Sequence, residues 1–529
     1  MRIALAQINS TVGDLSGNAK KILKNIDQAK KEKAELIVFP ELAVTGYPPE
    51  DLILKPQFVA ENISTINEIA KKTKDIAAYI GFVDFKQKKL FNAGAFIVNG
   101  KIDKIYHKIN LPNYGVFDEK RYFAEGDKIS IVKYSGIKIG LGICEDIWVE
   151  GGPYIDEAKA GAKLILNINA SPYHIGKIKT REEMLSRRAK NTKAYVAYVN
   201  LVGGQDELVF DGGSMVFDPK GKLIASASQY QEELVVFDLE KGGKGVRELG
   251  SWEEIYGALV LCTKDYVEKN GFSDVVIGLS GGIDSALTLA IAADALSKAR
   301  VHAVFMPSEI TSEQSFNDAK KVADNLGIEL KDIPIKKIFS AYNSELTASF
   351  RGRSMDVTEE NLQARVRGNL LMALSNKFGW LVLTTGNKSE MSTGYCTLYG
   401  DMAGGFSVLK DVPKTLVYKL VEWRNKKGSI IPESTIKRPP TAELRPNQKD
   451  QDTLPPYDIL DPIMQAYVED NKSMKQIIDA GFDEETVKKV ILMIDHSEYK
   501  RRQASPGPRI SRRAFGKDWR VPITNKFHG

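Results

Sequence analysis

The chain reads as an α/β protein of two domains, and three features of the sequence predict it. Short apolar runs alternate with amphipathic helical stretches along most of its length. Residues 240–245, Glu-Lys-Gly-Gly-Lys-Gly, interrupt that alternation with little to bury and read as the boundary, giving domains 1–242 and 246–529. Between residues 275 and 296 an apolar run, a glycine-rich loop and a helical pattern follow one another directly, the unit from which doubly wound parallel sheets are built. At 529 residues the chain is too long for one hydrophobic core and suggests two or three domains.

The first segment, Met1 to Ile8, reads as a strand. It ends in polar Asn9-Ser10 and lacks the long apolar region and small-residue cleavage site of a secretory signal. Residues 16–32 carry the spacing of an amphipathic helix, and 34–39 form a buried strand ending in Pro40-Glu41. Strand-like runs recur at 76–83, in the segment ending Tyr106-His107-Lys108, at 137–143 before Cys144-Glu145-Asp146, and at 164–169, 195–202 and 207–217. After the boundary, helices at 252–270, 284–296, 313–326 and 360–378 alternate with short strands at 274–277, 301–306 and 380–384, which predicts a parallel, doubly wound sheet. Residues 438–461 are rich in proline and polar side chains and read as a functional loop.

Composition narrows the class. Hydrophobic residues are 43% and charged residues 27%, and no apolar stretch is long enough to span a bilayer, so a soluble, cytoplasmic protein is expected. Cys144, Cys262 and Cys396 lie far apart and form no CxxC pair, which disfavours a disulfide framework or a zinc or iron–sulfur site. His107 is the one histidine of five beside a candidate site, and it reads as a packed or hydrogen-bonded strand end. A net charge of +6 is modest for this length and argues against a dedicated nucleic-acid binder. The basic run Lys500-Arg501-Arg502 with Arg509, Arg512, Arg513, Lys517 and Arg520 reads as a contact for a phosphorylated small substrate or a neighbouring subunit, with a solvated surface as the alternative.

Two constellations carry chemistry. The loop Gly278-Leu279-Ser280-Gly281-Gly282-Ile283-Asp284-Ser285 joins a strand to a helix. Its adjacent glycines let the backbone approach an anion, the helix start directs unpaired N–H groups at it, and two hydroxyls add donors. It lacks the Gly-Lys-Ser/Thr ending of a Walker A loop and carries instead a carboxylate, Asp284, able to hold a metal. Far upstream, Glu41, Lys108 and Cys144 each fall just past a strand, where a rigid scaffold can converge them. A glutamate to take the thiol proton, a lysine to lower the thiol pKa and stabilise an oxyanion, and a thiol nucleophile form a complete acyl-transfer set.

The Ser-Gly-Gly-x-Asp-Ser loop resembles that of the pyrophosphate-releasing ATP enzymes, and the Glu, Lys and Cys settings resemble the triad of the nitrilase superfamily. Together with Thr384-Thr385-Gly386-Asn387-Lys388-Ser389-Glu390, the run Tyr399 to Phe406 and Pro439-Pro440-Thr441-Ala442-Glu443-Leu444, the chain is similar to the glutamine-dependent NAD synthetase family over nearly its whole length. The resemblance implies an N-terminal αββα nitrilase-like sandwich followed by a Rossmann-like ATP-binding domain. It implies an ATP-dependent ligase in which glutamine is hydrolysed at Glu41, Lys108 and Cys144, and ammonia passes to a site that adenylates deamido-NAD and amidates it to NAD. By matched motif, Tyr114, Ser171 and Lys177 would hold glutamine; the loop and Thr385 would hold ATP; Asn361, Glu390 and Lys500 would contact deamido-NAD. Magnesium is the implied ion, with Asp284 as its ligand and Glu390 able to share that role. The family further implies a homo-oligomer with small-molecule partners and no nucleic acid or membrane. An asparagine synthetase is disfavoured because Arg2, not cysteine, follows Met1, and the sulfur-inserting relatives because paired cysteines are absent.

Overall fold

A computed structural model describes residues 1–243, 245 and 249–527. The chain divides into two compact units, Met1–Gly250 and Ser251–Gly529. Lys244, within the glycine-rich boundary, and Val246, the expected start of the second domain, lie outside the described residues.

The first unit holds two six-stranded sheets. One runs in the order Glu233–Asp238, Arg2–Gln7, Leu36–Val38, Ala77–Lys86, Lys89–Val98, Lys101–His107. The other runs Leu223–Ser226, Met215–Phe217, Tyr195–Asn200, Leu164–Asn169, Ile137–Ile143, Ile131–Tyr134. Because side chains alternate across a strand, Ile3, Leu5, Leu36, Val38 and Tyr79 of the first sheet meet Ile139, Leu141, Ile143, Leu166 and Val199 of the second in a shared inner core. The opposite residues, Ala4, Ile37 and Ile80, pack on Ile22 and Ile26 of helix Leu15–Lys31 and Ile66 and Ile69 of helix Pro56–Lys72. On the other outer face, Ile165, Val196 and Tyr198 pack on Met184 and Leu185 of helix Lys177–Thr192. The result is the four-layer αββα sandwich.

Two of the strand-like runs divide. Residues 207–217 split into Leu208–Asp211 and Met215–Phe217 because Gly212 and Gly213 both take positive φ, and only the second piece joins the large sheet. Likewise 195–202 splits into Tyr195–Asn200 and Val202–Gln205, the latter pairing with Leu208–Asp211 as a separate ribbon.

The second unit carries a five-stranded sheet in the order Leu330–Asp332, Val301–Phe305, Val275–Gly278, Leu381–Thr384, Phe406–Ser407, with every pair parallel. The strand order reverses beside Val275–Gly278, so a crevice opens at its carboxyl end. Helix Ile283–Leu296 is apolar almost all round and buried accordingly. The region 438–461 is irregular apart from a short 3-10 turn at Asp450–Asp452 and the start of helix Tyr457–Met464. Part of the basic end is turned onto its own chain, with Arg501 and Arg509 buried, while Arg502, Arg512, Lys517 and Arg520 stay exposed. Arg501 and Arg502 pair with Glu498 at 3.0 and 2.6 Å, and Arg509 pairs with Asp518. Among the described residues, no helix is long and apolar enough to cross a membrane.

Candidate active sites

In the first unit, Glu41 leaves the strand Leu36–Val38 on a turn that lies close against the neighbouring strand. A Cβ on Gly81 would come within 2.3 Å of the Leu42 nitrogen, so this approach requires glycine. Lys108 follows strand Lys101–His107, and Cys144 stands between strand Ile137–Ile143 and the helical turn Glu145–Trp148. The Cys144 backbone has φ 44° and ψ −103°, outside the basins a side chain prefers, and its amide is pinned to the Ile168 carbonyl at 2.8 Å. The fold therefore holds the sulfur at a sharp strand-to-helix turn.

Glu41 and Lys108 are fully buried and Cys144 nearly so. Lys108 Nζ donates to Glu41 Oε1 at 2.7 Å and to both oxygens of Glu119 at 2.9 and 2.8 Å. Glu41 also accepts from Asn92 Nδ2 at 2.7 Å and from the Ala170 amide at 2.9 Å. Burial alone would lower the Lys108 pKa, but the Glu119 and Glu41 carboxylates outweigh it and keep the ammonium charged. Burial pushes the Cys144 thiol up and Glu41 adds to that, while Lys108 opposes both. The resting thiol is protonated, so a base must act at the moment of attack.

Glu119 carries no signal of its own in the sequence. It sits in a charged run, Asp118-Glu119-Lys120-Arg121, that reads as solvated surface, yet it is buried and accepts from Tyr47 Oη at 2.9 Å. Burial raises its pKa to about 7, with Lys108 pulling it down and Glu41 pushing it up.

The three residues matched to glutamine fall around this centre. Tyr114 Oη donates to Glu145 at 3.0 Å. Lys177 lies over the Trp148 ring at 3.8 Å, and burial together with Arg181 lowers its pKa to about 8. Cys144 and Glu145 are both close enough to Lys177 to act on its charge. Ser171 is buried, and its amide donates to Asn200 Oδ1 at 2.9 Å. His107 is paired with Asp84 at 2.7 Å and stacked on Phe91, the role of a packed strand end.

In the second unit a cavity of about 280 Å³ opens at the carboxyl end of Val275–Gly278. Gly278, Leu279, Ser280, Gly282, Ile283, Asp284, Ser285, Thr385 and Glu390 all line it. Ser285 Oγ accepts from the Ser280 amide at 3.2 Å and donates to the Gly282 carbonyl at 3.0 Å, which sets the loop's curvature. Gly281 has φ 84°, and a Cβ there would meet the Ser315 carbonyl oxygen at 2.3 Å. Asp284 pairs with Lys414 and accepts from Asn387 Nδ2 at 3.1 Å. Lys414 lies 3.6 Å from Glu390, whose pKa burial raises to about 8, with Lys414 pulling it down and Asp284 pushing it up. Asn361 and Lys500 hold the segment beside the cavity instead. Asn361 Oδ1 accepts from Thr397 Oγ1 at 2.7 Å, and Lys500 Nζ donates to the Gly394 and Cys396 carbonyls at 2.7 and 2.9 Å.

Two lining groups carried no signal in the sequence, Lys414 and Arg367, which bring cations to the cavity wall. Arg438, the first residue of the 438–461 loop, adds a third; it pairs with Glu443 of the Pro439–Leu444 motif, and Glu443 accepts from Ser315 Oγ at 2.8 Å. Among the described residues, no group of three or more histidine, cysteine or acidic side chains is arranged to hold a metal. Two carboxylates beside a phosphate loop still fit magnesium, which keeps several waters and relies on substrate phosphates for the rest of its shell.

The sandwich with a buried Glu–Lys–Cys cluster and the parallel sheet with a glycine-serine loop define an amidohydrolase joined to an ATP-using synthase. The sequence model of the carbon–nitrogen hydrolase family matches residues 2–244, and that of NAD synthase matches residues 255–504. The glutamine-dependent NAD(+) synthetases of Thermotoga maritima and Aquifex aeolicus are each 48% identical to the chain across 100% of it, covering 99% and 100% of those proteins. The solved structure of the Acinetobacter baumannii glutamine-dependent NAD+ synthetase in complex with ADP matches with a TM-score of 0.81 at 45% identity, over 99% of this chain and 98% of that one. The chain belongs to the glutamine-dependent NAD(+) synthetase family, and is thus an ATP-dependent ligase.

Proposed function

We propose that the domain spanning residues 1–242 generates ammonia from glutamine at Glu41, Lys108 and Cys144, and that the domain spanning 246–529 uses it to amidate deamido-NAD. The observation that carries this reading is the convergence of those three buried residues from three separate strand ends. Glu41 takes the thiol proton, Cys144 Sγ attacks the side-chain carboxamide carbon, and Lys108 stabilises the oxyanion. Ammonia leaves with that proton, and water hydrolyses the glutamyl thioester. Glu119 keeps Lys108 charged and in place. Lys177 meets the α-carboxylate of glutamine, with Tyr114 and Ser171 lining the same subsite.

At the second site the nicotinate carboxylate of deamido-NAD attacks the α-phosphorus of ATP and pyrophosphate departs. Ammonia then displaces AMP from the mixed anhydride. Gly278 to Ser285 and Thr385 hold ATP, and Lys414 offers a cation to its phosphates. Asp284 would hold magnesium, which when bound neutralises phosphate charge. Glu390 either completes that carboxylate pair or meets deamido-NAD alongside Asn361 and Lys500. Composition supports a cytoplasmic protein, and the family relationship is what supports a homo-oligomer.

The test is NAD formation from deamido-NAD and ATP, with glutamine and then with ammonium salt. Synthesis with both supports the reading, and no NAD with either nitrogen source overturns it.

A further inference from the structure

Asp146 lies two residues beyond Cys144, buried, and is not among the reacting groups. Its carboxylate collects five donors from the two chain segments that deliver the nucleophile and the lysine. Oδ2 accepts from the Ile143 amide at 3.1 Å and from Tyr106 Oη at 2.8 Å. Oδ1 accepts from the amides of Ile109 and Asn110 at 3.2 and 2.9 Å and from Asn110 Nδ2 at 3.1 Å. Ile143 immediately precedes Cys144, and Tyr106, Ile109 and Asn110 bracket Lys108.

The arrangement is specific to a carboxylate. A buried carboxylate satisfied by this many donors is worth its desolvation, and it has only acceptors to offer. Burial pushes the Asp146 pKa up, and the Asn110 and Tyr106 hydrogen bonds pull it back. An amide of the same shape must turn an NH2 toward either three donors or two. The strands Ile137–Ile143 and Lys101–His107 belong to opposite sheets of the sandwich, so no ladder hydrogen bond fixes one relative to the other. Cys144 is further held in a backbone conformation that would relax if its flank were released.

We infer that Asp146 is a positioning residue for glutamine hydrolysis, a clip that sets Lys108 against Cys144 by binding the backbone on both sides of the gap between the two sheets. This rests on the glutaminase reading of Glu41, Lys108 and Cys144. Loss of the clip acts through placement: Lys108 drifts from the sulfur and the oxyanion, the bound substrate is held as before, and the thiol loses part of the cation that lowers its pKa.

The full-length chain carrying Asp146→Asn should show a glutaminase kcat reduced on the order of ten- to a hundredfold, the scale of a sub-ångström to ångström misplacement, with KM for glutamine unchanged. The pH midpoint for alkylation of Cys144 by iodoacetamide should move upward. Burial and the Glu41, Glu145 and Glu119 carboxylates already hold the thiol up, and removing the Asp146 charge alone would move it down, so a rise reports the retreat of Lys108 and not a general loss of stability. Far-UV circular dichroism and limited proteolysis of the first unit report whether it stays folded, since ammonia-dependent synthesis reads only the second site. Should Asp146→Asn fail that control, Tyr106→Phe decides, since it removes one of the five donors and should shift the midpoint in the same direction by less. A wild-type kcat, or a lowered kcat with an unmoved alkylation midpoint in the folded variant, overturns the inference. Glutaminase activity surviving in Cys144→Ala would instead overturn the underlying reading and leave Asp146 without a reaction to serve.

Discussion

In the amidohydrolase unit the charges are matched before any substrate arrives, Lys108 lying between Glu41 and Glu119 in the interior. In the synthase unit the charges are paired too, Lys414 with Asp284 and Arg438 with Glu443, but they line the wall of a cavity of about 280 Å³ together with Glu390 and Arg367. The difference follows from what each site must meet. A carboxamide is neutral and small, and the charge it develops in the transition state is best stabilised by donors fixed beforehand where water is excluded. A nucleotide brings several negative charges of its own, so its site keeps cations and a backbone cradle facing the cavity. One site encloses its charge pairs in the interior, whereas the other sets them along the wall of a cavity.

If the sites are distinct in this way, two substitutions should separate them completely. Cys144→Ala removes the nucleophile and should abolish glutamine-dependent NAD formation while leaving ammonia-dependent formation in place. Asp284→Ala, which also strips Lys414 of its closest carboxylate, should abolish NAD formation with either nitrogen source while glutaminase turnover persists. Both activities lost in Cys144→Ala, or synthesis unchanged in Asp284→Ala, would break the comparison.

Lys108→Met probes the enclosed side directly. Losing an oxyanion donor should lower glutaminase turnover by about a hundred- to a thousandfold. It also leaves Glu41 and Glu119 buried without their shared cation, and unpairing a buried ion typically costs about 3–5 kcal/mol. A lower Tm should therefore accompany the kinetic loss. Turnover close to wild type would remove Lys108 from the mechanism.

What could be read from the sequence follows the same division. Glu41 and Cys144 were legible because each follows a buried apolar run, where a charged or reactive residue has few structural reasons to be, and Lys108 because it follows a strand, although that strand is mostly exposed. Glu119 was not, since it lies in a short 3-10 turn among other charges and only tertiary packing buries it. The phosphate loop was legible as a contiguous motif, but Lys414, Arg367 and Arg438 reach the cavity from separate helices and loops that no local pattern connects. The αββα layering came from resemblance, because alternating strands and helices alone do not distinguish two packed sheets from one. Residues 207–217 show the limit from the other side: their apolar content reads as one strand, and Gly212-Gly213 divides it between two sheets.

A smaller effect separates substrate binding from chemistry in the first unit. Lys177 is pushed down to about 8 by burial and by Arg181, so its ammonium is present below that pH and lost above it. If it meets the α-carboxylate of glutamine, KM should rise as pH passes upward through about 8 while kcat is spared. Lys177→Met should raise KM at pH 7 and flatten that rise, leaving only the contribution of the substrate's own ammonium. A KM limb identical in wild type and variant would take Lys177 out of the subsite.

The smallest effect is predicted for Tyr114→Phe. Tyr114 is more than half exposed, and its hydroxyl is the polar tether to Glu145, donating at 3.0 and 3.1 Å to the two carboxylate oxygens. Removing it keeps the ring and its edge-on contact with Phe117, so the fold of the segment should survive. A hydrogen bond of this kind is worth about 0.5–1.5 kcal/mol net, which converts to a two- to tenfold rise in KM for glutamine. Turnover at saturation should stay near wild type, because the Glu41–Lys108–Glu119 cluster does not include the phenol. A kcat loss as large as that of Lys108→Met would instead make Tyr114 part of the reacting centre, and the separation of glutamine binding from chemistry in the first unit would no longer hold.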